Sequence, residues 1–129
     1  MKTMYVMLAM LMTTSNISSA QTDKTPSNES SEIYFTNSVK GSMDEVYKKV
    51  VAALKAEKFG VITEVDMAGT LKEKLDVDIM PYKILGVCNP GSAYEALQAE
   101  PNIGVFLPCK VILKQVNANS IEVVAANPE

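Results

Sequence analysis

The chain has no histidine, no arginine and no tryptophan among its 129 residues. Without histidine, the Ser-His-Asp and Cys-His nucleophile systems are excluded, as are zinc and haem sites built on imidazole. Without arginine, no guanidinium fork can clamp a phosphate or a carboxylate through two parallel bonds. Both exclusions hold for any fold. Cysteine is scarce as well: Cys88 and Cys109 are the only two. Their spacing is not C-x-x-C, so neither a thioredoxin-type motif nor a zinc knuckle is indicated.

What the chain does have begins with its first twenty residues. Met1-Lys2-Thr3 precedes an apolar run from Met4 to Met12, and a polar stretch then ends in Ser18-Ser19-Ala20. A basic start, a short apolar run and small residues before a cut form the secretory pattern. The run is too short to span a bilayer, which takes about 20 residues. Read instead as a buried helix, the segment fails, because Thr13 to Ser19 neither continue nor cap one. The expected cut lies before Gln21, and the expected destination is the periplasm or the medium. No cysteine follows the apolar run, so no lipid anchor is indicated there.

Removing residues 1–20 takes away five of the eight methionines and Lys2. Eleven lysines then face fifteen acids, a net charge of −4. That balance argues against nucleic acid or an anionic membrane as partner. Residues 21–31 contain no apolar side chain and read as a flexible leader. The single domain is then 32–129, large enough for one modest core.

Within it, Ile33 to Val39 alternates as a half-buried strand. Ser42-Met43-Asp44-Glu45 is a capping box, followed by Met43, Val46, Tyr47, Val50 and Leu54 at helical spacing. Phe59-Gly60 closes that helix, with Gly60 as its left-handed cap. Val61 to Met67 reads as a strand, and Thr70-Leu71-Lys72-Glu73 as a second capping box opening a short helix to about Leu75. Tyr82 to Cys88 is an apolar third strand. Asn89 caps a third helix with Pro90 at its first position, ending near Ala99. Val105 to Lys114 reads as a long fourth strand, with Leu107, Cys109, Val111 and Leu113 inward. Asn117 to Asn119 forms a turn into a last strand, Ile121 to Ala125. The order is β-α-β-α-β-α-β-β. It predicts an α+β fold with a mostly antiparallel sheet and helices on one face.

Cys88-Asn89-Pro90 after an apolar strand, then a helix, then Leu107-Pro108-Cys109 opening another strand, resembles the domain of unknown function 302 family. The helix starting at Ser42 and the Phe59-Gly60-Val61 turn fit the same pattern. The resemblance covers roughly Glu32 to Ala125. It implies a compact α+β domain similar to the TATA-box-binding-protein-like fold class, often dimeric, and it implies no activity.

Parity places Cys109 with Leu107 and Val111, and Cys88 with Ile84 and Gly86, so both sulfurs are expected to face one core. If the strands run antiparallel, the end of one lies near the start of the other. Three readings of the pair compete. A structural disulfide suits an exported protein and would contribute on the order of 3 kcal/mol. A reactive or ligand-binding thiol pair would use Cys88 and Cys109, with the backbone N–H groups after Asn89 as an anion cradle. Two inert buried thiols are the bland case. The candidate site is therefore Cys88, Asn89, Pro90, Pro108 and Cys109.

Other features carry less. A Cu(I) site would have to recruit Met43, Met67 or Met80 beside the thiols. Asp66, Glu73, Asp76 and Asp78 form an acidic neighbourhood that lacks the glycine and terminal glutamate of a calcium loop. Tyr82 and Tyr94 are candidates to line a pocket near Cys88. Asn28-Glu29-Ser30 matches a glycosylation acceptor. No cofactor is implied. The expectation is a non-enzymatic exported binding or interaction module, a homodimer formed through the sheet or an exposed helix face. A thiol-dependent redox enzyme using the same cysteines is the competing class.

Overall fold

The computed structural model describes residues 29–30 and 33–127. The export signal expected over residues 1–20 and the glycosylation acceptor expected at Asn28 lie outside them. The elements are β1 (Glu29–Ser30), β2 (Tyr34–Lys40), α1 (Met43–Ala56), β3 (Gly60–Asp66) and α2 (Met67–Leu75). There follow β4 (Tyr82–Cys88), α3 (Pro90–Ala99), a 3₁₀ turn (Pro101–Phe106), β5 (Cys109–Asn117) and β6 (Ser120–Ala126). They build one sheet in the order β1-β2-β6-β5-β4-β3, with every neighbouring pair antiparallel. The α+β architecture and the antiparallel sheet expected from the sequence are what forms. One strand was not expected: Glu29–Ser30, inside the stretch read as leader, pairs with Phe35 and Thr36.

The register divides the sheet into two faces. Leu85 lies opposite Val111, Val111 opposite Ala125, Leu113 opposite Val123, and Val39 opposite Ile121. Residues directly opposite share a face, so these form one apolar inner face, and α1 lies on it. Val46 of α1 is 0% exposed, as are Leu85 and Leu113. Each such side chain contributes about 1.5–3 kcal/mol through the apolar surface it removes from water. Met43, Tyr47, Val50 and Leu54 pack around this cluster from the same helical stripe.

The start of α1 follows its capping box. Ser42 Oγ accepts from Glu45 N at 3.4 Å, and Glu45 Oε2 accepts from Ser42 N at 2.9 Å. The donated hydrogen bonds from Ser42, backbone first, hold the Glu45 carboxyl below its ordinary value. The end of α1 corrects the sequence reading. The left-handed residue is Lys58 (φ 62°), and Gly60 opens β3 instead. Phe59 N donates to Leu54 O at 2.8 Å and Lys58 N to Lys55 O at 3.0 Å. These two bonds are the Schellman pattern. It needs an apolar residue after the left-handed position, and Phe59 fills that place by packing on the core.

Two further boundaries differ from expectation. α2 starts at Met67, capped by Asp66, whose Oδ1 accepts from Gly69 N at 3.0 Å. Thr70, expected as the cap, instead donates its hydroxyl back to Asp66 O at 2.7 Å. The fourth long strand begins at Cys109, because Pro101 to Phe106 winds into the 3₁₀ turn. Glu100 caps that turn by accepting from Asn102 N at 2.8 Å. A Leu107–Pro108 cis peptide bond then leads into β5.

Lys58 carries a β-carbon into a conformation that only glycine adopts without cost. Lys58→Gly is expected to raise stability by roughly 0.5–1 kcal/mol, the left-handed penalty less the extra chain entropy of glycine. A higher urea midpoint at unchanged slope would show it.

Candidate functional site

Cys88 is the last residue of β4 and is half-buried. Asn89 behind it caps α3: its side chain accepts from Ser92 N at 3.2 Å, with Pro90 at the first helical position. The cap is as expected, and its consequence for an anion cradle is unfavourable. Pro90 has no N–H, Ser92 N–H is held by Asn89 Oδ1, and Ala93 N–H by Asn89 O at 2.9 Å.

The two cysteines do not form one site. β4 and β5 do run antiparallel, but Cys109 stands opposite Val87, one position out of step with Cys88. Successive residues of a strand point to opposite faces. Cys109 therefore belongs to the inner-face row of Val87 and Val111, and Cys88 to the outer-face row of Gly86 and Ile84. Both are free thiols. Cys109, expected inward and buried, has the right parity but is exposed, because it lies at the rim where β5 begins. No disulfide forms, and this register gives the joint thiol site no support.

Pro108 does meet β4, but over Gly86. A β-carbon on Gly86 would collide with Thr63 Oγ1 and lie 2.7 Å from Pro108 Cγ. Glycine is required there because β3 and the entrance to β5 close over it on the outer face. Tyr82 and Tyr94 do not gather at Cys88 either. Tyr82 opens the seven-residue β4 that Cys88 ends, and Tyr94 stands exposed on α3. The acidic neighbourhood is spoken for by lysines: Lys72 Nζ lies 2.8 Å from Asp76 and 3.0 Å from Asp78, and Lys74 pairs with Glu73. Among the described residues no group of three or more Cys, Asp or Glu is placed to hold a metal ion. No described helix is long and apolar enough to cross a membrane.

The family model for the domain of unknown function DUF302 matches residues 35–129. The chain belongs to this family. A solved structure, an uncharacterised conserved DUF302 protein from Bacillus stearothermophilus, is similar at 32% identity. The match covers 76% of each chain with a TM-score of 0.69. No curated protein matches.

The best-organised polar group of this DUF302 domain was missed by sequence reasoning. Tyr47 on α1 donates its hydroxyl to Glu64 Oε2 at 2.9 Å, and Lys83 on β4 donates to Glu64 Oε1 at 2.7 Å. Lys83 Nζ also sits 5.3 Å from the Tyr47 ring centre, within cation–π range. A β-bulge makes the triad possible. The β3 register slips between Val61 and Thr63, so Ile62 bulges out and Glu64 pairs with Leu85 on the inner face. Without that slip, Glu64 would point outward with Ile84. The only legible hint was Tyr47 itself, a polar-tipped residue in an apolar stripe.

Each member of the triad is pushed toward the form it already holds at neutral pH. The bonds from Lys83 and then Tyr47 hold the Glu64 carboxyl below its ordinary value of 4.5. The bond to Glu64 raises both the Tyr47 phenol and the Lys83 ammonium. None is poised to exchange a proton, so the triad is a clasp between α1, β3 and β4.

Glu64 has a lowered folded value, so its share of stability is present above the ordinary carboxylate range and lost as pH falls through the folded value. Tyr47 and Lys83 have raised values, so theirs is present below their ordinary values near 10 and lost as pH rises beyond them. The stability gap between the native chain and Glu64→Gln is therefore expected to be flat across neutral pH and to shrink below about pH 4.5. Urea midpoints at a series of pH values measure it. For the cysteines, alkylation of the native protein is expected to label both thiols without reductant, Cys109 faster than the half-buried Cys88. A species that needs reductant before it reacts would contradict the free-thiol assignment.

Proposed function

We propose that this DUF302 domain is an exported, non-catalytic interaction module that works as a homodimer through the outer face of its sheet. The supporting observation is a row of apolar residues running straight across that face. Val65 pairs with Ile84, Ile84 with Ile112, and Ile112 with Val124. None of the row belongs to the buried core, and Val65 at the margin is 41% exposed. The only buried helical side chain among the described residues is Val46, and it lies on the other face.

Beside the row, Lys114 pairs with Glu122 at 2.8 Å. Glu122 raises the Lys114 pKa, so the lysine stays charged and balanced. Such a face is suited to an identical copy, because an interface with twofold symmetry needs one self-complementary patch. Export rests on the secretory pattern of residues 1–20, which supports a location outside the reducing cytoplasm.

Ile112 is the middle of the row. The protein purified after export is expected to sediment as a dimer at micromolar concentration, and Ile112→Lys as a folded monomer. A native chain that sediments as a monomer throughout that range defeats the proposal. Recovery of the intact signal-bearing chain from the cytoplasm alone defeats its export part.

A further inference from the structure

The connection between β4 and β5 is an arm made of α3 and the 3₁₀ turn, and it contains no buried residue. The two parts pack on each other. Its large apolar side chains point into solvent: Tyr94 is 66% exposed, Phe106 76% and Val105 83%. Scattered single exposures of this kind are ordinary, but a cluster on one projecting element marks a contact surface.

Its charge is equally one-sided. Between Pro90 and Leu107 the charged residues are Glu95 and Glu100, with no lysine. The outer sheet face has the opposite balance. Lys40, Lys110 and Lys114 stand on it against Glu122, and Glu29 of β1 registers on the same face opposite Thr36. An arm of charge −2 and a face of charge +1 occur on one chain, each with apolar residues outside the buried core.

We infer that the arm of one copy lies across the outer face of a second copy, and reciprocally. Phe106 and Val105 then meet the Ile84–Ile112 row, and Glu95 and Glu100 meet Lys110 and Lys114. A twofold axis makes the contact twice, so two small patches act as one interface. This rests on the homodimer proposed above and names what fills its interface. The acidic arm disfavours an anionic lipid surface as the alternative occupant.

Charge exchange tests it. An arm variant carries Glu95→Lys and Glu100→Lys, and a face variant carries Lys110→Glu and Lys114→Glu. Alone, each sets like charges against each other, and its dimer Kd is expected to weaken at least tenfold. Mixed, the basic arm meets the acidic face and the acidic arm meets the basic face, so heterodimers are expected to form near the native Kd. That rescue also shows both variants to be folded.

Native dimers that dissociate on Ile112→Lys but are indifferent to both charge variants would overturn the arm and leave the sheet-face dimer standing. Two weakened variants that fail to rescue each other when mixed would overturn the arm as well. A native chain that is monomeric, or that binds neutral phosphatidylcholine vesicles through Phe106 and shows no self-association, would overturn arm and dimer together.

Discussion

The seating of Val46 on the inner face of the sheet is the contact on which the rest of the structure depends. It brings α1 against Leu85, Leu113 and Ile121, which come from three different strands. The sequence separations are long, so this contact exists only where antiparallel pairing has set the three strands side by side. A single helix has a single apolar stripe, and it covers a single face. The fold is therefore two layers deep, and the face behind the sheet receives no equivalent cover from Val46 or its neighbours. The Tyr47–Glu64–Lys83 clasp belongs to the same contact. It fixes the azimuth of α1 at the β3–β4 side, where the apolar cluster gives way to solvent.

Features governed by neighbours in sequence were legible, and features governed by neighbours in space were not. The capping box at Ser42 and the Asn89-Pro90 helix start need only three or four consecutive residues, and both formed as read. Lys58 and Gly60 show the limit. Glycine is the usual left-handed cap, yet the chain placed Lys58 there because Phe59, and not Gly60, had to reach the core. The same holds for Asp66 and Thr70, where β3 runs into α2 without a loop and the last strand residue becomes the cap. Val105 and Phe106 carry β-forming side chains, but Pro101 and Glu100 start a 3₁₀ turn that holds them out of the strand.

The cysteines failed for a sharper reason. Each strand's alternation was read correctly by itself: Cys88 goes with Gly86 and Ile84, Cys109 with Val111 and Leu113. What no single strand encodes is which face of one corresponds to which face of the next. That phase is set by pairing, and a one-residue offset sends every side chain to the other side. Here the pairing of Val87 with Cys109 fixes it, and the sulfurs part. The bulge at Ile62 is the same effect within one strand. Before it Val61 faces the core, and after it the parity inverts, which is how Glu64 comes to face α1.

How such a sheet can meet another surface is limited by its edges. At one end, β3 carries the Ile62 bulge together with Glu64 and Asp66, and bulges and charges interrupt strand-to-strand addition. At the other end, β2 is capped in part by β1 and finishes in Lys40. Among the described residues neither edge offers a long, flat, unpaired ladder. On the arm Phe106 and Val105 are largely exposed, while Ile84 and Ile112 of the cross-strand row are half-buried. Association through faces is therefore favoured over association through edges. Tight closure of Thr63 and Pro108 over Gly86 adds to this, because it keeps the root of the arm close against the row that a partner would have to cover.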